Sequence, residues 1–150
     1  MDLILWRHAE AEPGEPDMGR RLTAKGIQQA ERMAKWLDHH LPATTRILSS
    51  PADRAQQTAQ ALKRKFRVVG ELAPGASVSA VLGAAGWPDA REPILVVGHQ
   101  PTLGELAAHL LTKQELSWSV RKGAVWWLSH RVRDGVASTV LKVVISPDFV

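Results

Sequence analysis

Two short runs of apolar residues, one at the start of the chain and one in its second half, each stop abruptly at polar residues. The first covers residues 3–6 and is followed by Arg7 and His8. The second covers residues 94–97 and is followed, after one glycine, by His99. Continuous apolar runs of this length that contain β-branched residues predict buried strands. Because ligands of open α/β sheets gather at the carboxyl ends of the strands, we expect both histidines to lie near a binding site.

Elsewhere in the first two thirds of the chain, apolar residues recur every three or four positions, which is the period of an amphipathic helix. Four helices are predicted, over residues 24–41, 51–66, 77–85 and 102–111. Thr23 has the side chain of an N-cap for the first helix, and Ser50 followed by Pro51 has the corresponding pattern for the second. The predicted core face of the first helix consists of Ile27, Ala30, Ala34, Leu37 and Leu41.

The remaining strand signals complete the predicted fold. Two short strands are predicted over residues 45–48 and 67–69, and two longer ones over residues 124–132 and 136–145. The longer pair flanks Asp134-Gly135, a dipeptide typical of tight hairpin turns. This order predicts an α/β fold, a single-domain three-layer sandwich whose mostly parallel sheet has helices on both faces and an antiparallel C-terminal edge hairpin. We expect the 150 residues to form one domain.

Composition narrows the classes of protein. The chain has no cysteine, which excludes a disulfide framework, a zinc ribbon and a thiolate nucleophile. It has no leader-like segment and no apolar run approaching the roughly 18 residues of a membrane span, so we expect a cytoplasmic protein without a membrane partner. The net charge of +4 favours anionic partners. The densest basic run, residues 63–67, has no interleaved aromatics and suits the end of the second predicted helix, so no nucleic-acid partner is expected.

Four residues carry the candidate chemistry. Arg7, His8 and His99 follow predicted strands, and Arg54 lies in the first turn of the second predicted helix. A cation there opposes the helix dipole, so we expect an anionic ligand beside it. Fixed cations and N–H donors suit phosphoryl transfer, because its transition state spreads negative charge over three oxygens. A neutral imidazole among cations keeps a lone pair free to attack phosphorus, and His8 is the candidate for that role.

Three motifs that contain these residues resemble, in order, the signatures of the histidine phosphatase superfamily, also called phosphoglycerate mutase-like proteins. They are residues 5–11, 49–58 and 97–101. The short length and residues 21–26 and 71–74 further resemble the small SixA branch of phosphohistidine phosphatases. The resemblance implies a phosphoglycerate mutase-like fold with His8 as the nucleophile that becomes phosphorylated. It also implies that Arg7, Arg54 and His99 complete the phosphate pocket.

The same stretches contain further candidates and two departures from the family pattern. Arg21 and Gln100 are predicted to bind substrate. Gln100 stands where asparagine is common in the family, and Ala9 stands where glycine is usual, which raises the question whether this backbone needs a positive φ that alanine resists. Larger members take a glutamate as general acid from an insertion that this chain lacks. Glu10 and Glu71 are the available carboxylates, and the pattern places neither beside a leaving group.

The expected activity is hydrolysis of phosphohistidine on a partner protein, through a covalent intermediate on His8 and without a metal or other cofactor. An imidazole leaves more readily than an alkoxide when no acid is present. Residues 67–92 are too few for a closing lid, so an open pocket would admit a side chain of a folded partner. Basic residues within residues 10–21 are expected to help dock an acidic partner.

Three alternatives remain open at this point. A phosphatase of a small phosphorylated metabolite would use the same catalytic residues. A phosphate-binding regulatory module without turnover would need the arginines but not both His8 and His99. A metal hydrolase would need ligands at characteristic spacings, which the remaining histidines, His39, His40, His109 and His130, do not provide.

Overall fold

Strands and helices alternate along the first three quarters of the chain, and two long strands complete it. The computed structural model describes residues 1–150. The strands are β1 (Asp2–Arg7), β2 (Arg46–Ser49), β3 (Arg67–Val68), β4 (Ile94–Gly98), β5 (Val125–Arg133) and β6 (Val136–Ile145). The α-helices are α1 (Ala24–His40), α2 (Asp53–Gln60), α3 (Val78–Ala85) and α4 (Thr102–Thr112). Short 3₁₀ helices occupy Asp17–Gly19, Gly70–Leu72 and Pro147–Phe149.

One six-stranded sheet organises the molecule, with the strand order β3-β2-β4-β1-β5-β6. Strands β1 to β4 run parallel to one another, whereas β5 runs antiparallel to β1 and β6 antiparallel to β5. The predicted α/β architecture with a mostly parallel sheet and an antiparallel C-terminal hairpin is therefore confirmed. Since β4 lies between β1 and β2, the carboxyl ends of these three strands meet at one edge of the sheet.

Helices cover both faces of the sheet, because successive side chains of a strand point to opposite sides. Leu3 and Leu5 of β1 pack with residues of α3 and α4. Ile4 and Trp6 of the same strand pack with residues of α1 and α2. All four side chains are fully buried, and burial of each stabilises the fold by about 1.5–3 kcal/mol. None of the four helices combines the length and the apolar character that a membrane crossing requires.

The core face of α1 differs from the prediction at one end. Thr23 caps the helix as predicted, its hydroxyl accepting a hydrogen bond from the Gly26 amide at 2.9 Å. Met33 is fully buried on the core face, whereas Ile27 is 43% exposed and was wrongly assigned to it. The physical reason is that Ile27 lies in the first turn of the helix, at the margin of the face. There it lines an open surface depression between α1 and α2.

Helix α2 is shorter at both ends than the sequence predicts. It begins at Asp53, and Ala52, not Ser50, occupies the N-cap position. The Ser50 hydroxyl instead accepts a hydrogen bond from the amide of Ala52. It ends at Gln60, and Lys63 adopts a positive φ of 56°. The basic run, residues 63–67, therefore lies beyond the end of α2 and not in the last turn of that helix, where it was predicted. Arg64 donates instead to carbonyl groups at the end of α1, including that of Leu41.

The C-terminal hairpin forms as predicted. Asp134 and Gly135 have φ values of 50° and 76°, the two positive values that a type I′ turn requires. Trp126 and Trp127 point to opposite faces of the sheet, and Trp127 is the buried one.

Gly104 marks a close contact between α4 and the segment before β5. A Cβ at Gly104 would lie 1.7 Å from the carbonyl oxygen of Trp118. Gly104→Ala is therefore expected to destabilise the fold by about 2 kcal/mol. Gly83 in α3 is a matched control, because a Cβ there meets no atom within 4 Å. Gly83→Ala should stabilise the fold by about 0.5–1 kcal/mol, and denaturant unfolding of both variants would measure the difference. Equal midpoints would contradict the expectation.

Candidate active site

Three parallel strands deliver polar residues to one edge of the sheet. His8 follows β1, Ser50 follows β2 and His99 follows β4. A cavity of about 190 Å³ lies at this edge. It is lined by Arg7, His8, Ala11, Arg20, Arg54, Pro74, His99, Gln100 and Lys122. The structure therefore brings together the four residues that the sequence singled out for the chemistry.

His8 has one ring nitrogen committed to the backbone and one directed at Arg54. Its Nδ1 lies 2.8 Å from the carbonyl oxygen of Ala9, which can only accept, so Nδ1 carries the proton of the neutral ring. The unprotonated Nε2 lies 3.4 Å from Nε of Arg54. Burial, assisted by the charges of Arg54 and Arg7, lowers the pKa of His8 to about 4 despite the Ala9 contact. His8 is therefore neutral near pH 7, and the lone pair on its Nε2 accepts the long hydrogen bond from Nε of Arg54.

Ala9 fits its position without backbone strain. Its φ is not positive, so the alanine meets no conformational penalty where glycine is usual in the family. The residue is fully buried, and its amide donates to the Thr58 hydroxyl at 3.1 Å. That hydroxyl in turn donates to the carbonyl oxygen of Arg54 at 2.8 Å. Thr58 thus ties the loop after β1 to the helix that carries Arg54.

Arg54 is buried and held by Asp17, the first residue of the 3₁₀ helix Asp17–Gly19. Its two terminal nitrogens contact Asp17, one at 2.7 Å from the carbonyl oxygen and one at 3.2 Å from Oδ2. Asp17 also accepts from Arg20 at 3.0 Å. Hydrogen bonds from Arg20 and Arg54 lower the pKa of Asp17, so this carboxylate stays ionised and orients both arginines. Asp17 was not among the predicted site residues, because nothing in its local pattern indicates contact with a residue 37 positions away.

Arg7 presents an unsatisfied donor inside the protein. One terminal nitrogen donates to the carbonyl oxygen of Val120 at 2.9 Å. Its Nε is buried and has no hydrogen-bond partner. Buried donors are nearly always paired, so Arg7, which lines the cavity, retains hydrogen-bonding capacity that the protein itself does not use. Burial and the nearby charge of Arg54 lower the pKa of Arg7, which an anion in the cavity would counteract.

His99 also has an unpaired ring nitrogen. Its Nε2 lies 2.7 Å from the Ser50 hydroxyl, which already accepts a hydrogen bond from the amide of Ala52. A Ser50 hydroxyl that donates to Nε2 leaves the ring proton on Nδ1. That Nδ1 is buried without a partner. Burial, followed by repulsion from a protonated His8 and from Arg54, lowers the pKa of His99 to about 3, so both histidine rings are neutral near pH 7.

Gln100 lines the cavity, but the protein already uses its amide group. Its Oε1 accepts from the Gly104 amide at 2.7 Å, and its Nε2 donates to the carbonyl oxygen of Trp118 at 2.8 Å. These bonds join the start of α4 to the segment before β5. The contacts that the structure gives to Gln100 are therefore structural.

Arg21 is not among the residues that line the cavity, whereas Arg20 is. The side chain of Arg21 is exposed and lies 3.9 Å from the Asp53 carboxylate. Successive side chains of an extended segment alternate in direction, so a shift of one residue exchanges the inward and outward positions. Arg21 was predicted to bind substrate, whereas Arg20, whose side chain lines the cavity, was not.

Neither of the two candidate general acids reaches the cavity. The Glu10 carboxylate accepts a hydrogen bond from the Thr23 hydroxyl at 2.8 Å, and Glu71 is exposed in a 3₁₀ helix. No aspartate or glutamate lines the cavity.

The segment of residues 67–92 contributes only Pro74 to the lining of the cavity, because its helix α3 packs against the core on the sheet. No group of three or more His, Cys, Asp or Glu side chains converges as metal ligands do.

Comparison with known proteins agrees with this geometry. The family model of the histidine phosphatase superfamily, branch 1, matches residues 3–75. The phosphohistidine phosphatase SixA homolog of Haemophilus influenzae is 31% identical over 130 residues, covering 76% of this chain and 79% of the relative. The chain belongs to the histidine phosphatase superfamily. Membership supports phosphatase activity for this domain and agrees with the placement of two histidines and two arginines around one small cavity.

Further relatives share the same fold. The phosphohistidine phosphatase SixA of Escherichia coli is 31% identical over 119 residues, covering 73% of this chain and 74% of the relative. A structure of SixA from Nakamurella multipartitia matches with a TM-score of 0.80 and 28% identity, covering 97% of this chain and 95% of that one. A SixA structure in complex with tungstate matches with a TM-score of 0.77 and 25% identity over 99% of both chains.

Proposed function

We propose that this member of the superfamily hydrolyses phosphohistidine on a partner protein and that His8 is its nucleophile. The observation that carries the substrate assignment is the composition of the cavity, which has cations and two neutral imidazoles but no carboxylate in its lining. Such a site stabilises a transferring phosphoryl group but has no carboxylic acid in its lining to protonate a leaving oxygen.

The reaction proceeds in two steps at one nitrogen. Nε2 of His8 attacks phosphorus, and the bond between phosphorus and the substrate imidazole breaks, so the phosphoryl group is transferred to His8. The departing ring takes a proton from solvent. A water molecule then attacks the phosphoryl group, its proton passes to solvent, and the bond to His8 breaks to release phosphate. Arg7, Arg20 and Arg54 neutralise the phosphoryl oxygens, and the Nδ1 proton of His99 donates to one of them.

The leaving group favours phosphohistidine over a phosphate ester. A serine or sugar oxygen leaves as an alkoxide unless an acid protonates it, whereas an imidazole is a stable neutral molecule once protonated by solvent. Glu10 and Glu71, the two candidates for such an acid, lie outside the cavity lining. The carboxylate of Asp17 is held ionised by two arginines and has no proton to give.

The size of the cavity favours a macromolecular substrate. About 190 Å³ is below the roughly 300 Å³ of the smallest pockets that enclose small molecules, so the phosphoryl group enters and the rest of the substrate stays outside. Two of the relatives are named phosphohistidine phosphatase SixA or a homolog of it, and one structure of SixA holds tungstate, a tetrahedral oxyanion.

The test is a comparison of kcat/KM for a phosphohistidine peptide, a phosphoserine peptide of the same sequence and a sugar phosphate at one pH. We expect the phosphohistidine peptide to be preferred by at least about 100-fold, the size of a typical general-acid contribution. Turnover by His8→Ala serves as the background. Equal or faster turnover of a small ester would instead support the metabolite phosphatase, with the same residues in the cavity.

Arg20 and Arg21 provide an internal comparison of neighbouring cations. Arg20→Ala is expected to lower kcat/KM by about 10- to 100-fold, because a charge-assisted hydrogen bond contributes about 1.5–3 kcal/mol. Arg21→Ala should stay within about threefold of the wild type, since its exposed side chain does not line the cavity. Steady-state kinetics of both variants measures the difference. A larger loss in Arg21→Ala would reverse the assignment.

The histidine pKa values predict how the free protein responds to acid. His8 and His99 should stay neutral down to about pH 5, since their pKa values lie near 4 and 3 against about 6.5 for an unfolded histidine. The unfolded chain thus binds more protons, and stability is lost as pH falls from about 6.5 toward 3. Nitrogen-15 NMR of the imidazoles measures both the titration and the Nδ1–H tautomer of His8. Titration of either ring above pH 6 would contradict this.

A further inference from the structure

A second cavity, of about 370 Å³, lies beside the catalytic one, and Arg7 and Lys122 line both. We call it the basic groove. It is lined mainly by polar and charged side chains from the start of α1, the segment before β5 and the C-terminal segment. Its cations are Arg7, Lys25, Arg121 and Lys122, and its carboxylates are Glu10 and Asp148. The groove is therefore a net positive surface that adjoins the place where the phosphoryl group binds.

Three cations of the groove are exposed and have no acidic partner. Lys25, Arg121 and Lys122 take part in none of the five ion pairs of the structure. By contrast, the arginines of residues 10–21 are engaged, Arg20 with Asp17 and Arg21 with Asp53. The basic residues that are free to bind a partner therefore line the basic groove. They do not lie in residues 10–21, where the sequence predicted them.

The position of Lys25 makes the electrostatic potential of the groove more positive. It lies in the first turn of α1, where the helix dipole already favours an anion and no acidic residue is present. Of the two carboxylates, that of Glu10 accepts from the Thr23 hydroxyl, and neither forms an ion pair with the three cations. Negative charge on a ligand would thus meet cations that the protein does not itself neutralise.

We infer that the basic groove binds aspartate or glutamate side chains that flank the phosphohistidine of the partner protein. This inference rests on the proposed function. With the phosphoryl group in the catalytic cavity, the adjoining chain of the partner passes over Arg7 and Lys122, which line both spaces. The volume of about 370 Å³ is within the range of ligand pockets, about 300–1,000 Å³. Because the lining is charged rather than apolar, recognition is electrostatic and weakens as salt is added.

The test uses two phosphohistidine peptides that differ only in glutamate or glutamine at the flanking positions. At low salt we expect the wild type to prefer the glutamate peptide by about tenfold or more in kcat/KM. The double variant Lys25→Glu/Arg121→Glu removes cations that line the groove but not the catalytic cavity, and it should lose or invert this preference. Lys65→Glu/Arg67→Glu is the control, because it makes the same charge change at the opposite edge of the sheet and should keep the preference.

Each outcome distinguishes the inference from the proposed function. Equal turnover of the two peptides by the wild type would overturn the inference and leave the function standing. A preference that persists in Lys25→Glu/Arg121→Glu would also overturn it. Failure of both peptides beside turnover of 4-nitrophenyl phosphate would overturn the proposed function itself. A groove-dependent preference for a small bisphosphate over its monophosphate, without any preference between the peptides, would assign the groove to a metabolite and overturn the inference.

Discussion

His8→Ala is expected to lower turnover by at least about 10⁴-fold, because removing a catalytic nucleophile leaves only the contribution of the binding groups. Nε2 of His8 carries a nitrogen lone pair beside the guanidinium of Arg54. Substrate labelled at phosphorus should also leave a label on the wild-type protein that is labile in acid and stable in base. His8→Ala should carry no such label.

His39→Ala is the matched control for this experiment, since His39 is exposed near the end of α1 and does not line the cavity. It should retain full turnover and the label. Wild-type-like turnover by His8→Ala, or a label that persists in it, would contradict the assignment of the nucleophile.

Arg54→Lys is expected to lower kcat/KM by about 10³-fold, nearly as much as Arg54→Ala. The guanidinium uses one nitrogen toward His8 and two toward Asp17, and a lysine ammonium cannot span these contacts. An arginine that stabilises a phosphoryl transition state contributes about 10³- to 10⁵-fold. Retained positive charge alone should therefore recover little of the activity.

The control for Arg54→Lys is Arg46→Lys, at the exposed opposite end of β2, which should leave the rate unchanged. Thermal unfolding of Arg54→Lys should be recorded as well, because the side chain is buried. A folded Arg54→Lys protein with more than half of the wild-type kcat/KM would show that the site requires the positive charge of Arg54 and not the planar geometry of its guanidinium.

Local patterns predicted the elements well where one physical cause dominates. The strands β1 and β4 were predicted from continuous runs of apolar residues, all of which are buried. The turn at Asp134-Gly135 was predicted from two residue types that tolerate the positive φ values found there. The start of α1 at Thr23 followed from its capping hydroxyl. Predictions that depended on neighbours were less accurate: Ile27 lies at the margin of a helix face, and Ser50 uses its hydroxyl elsewhere than as the cap of α2.

The sequence by itself determined which chemistry the site holds. His8 and His99 directly follow strands because the apolar runs stop just before them, and Arg54 lies in the first turn of a helix. Only the tertiary structure decided how they meet, since the order β2-β4-β1 brings three strand ends side by side. It also decided that Arg20 rather than Arg21 faces the cavity and that Asp17 holds Arg54. These outcomes depend on contacts between residues far apart in the chain, about which local periodicity carries no information.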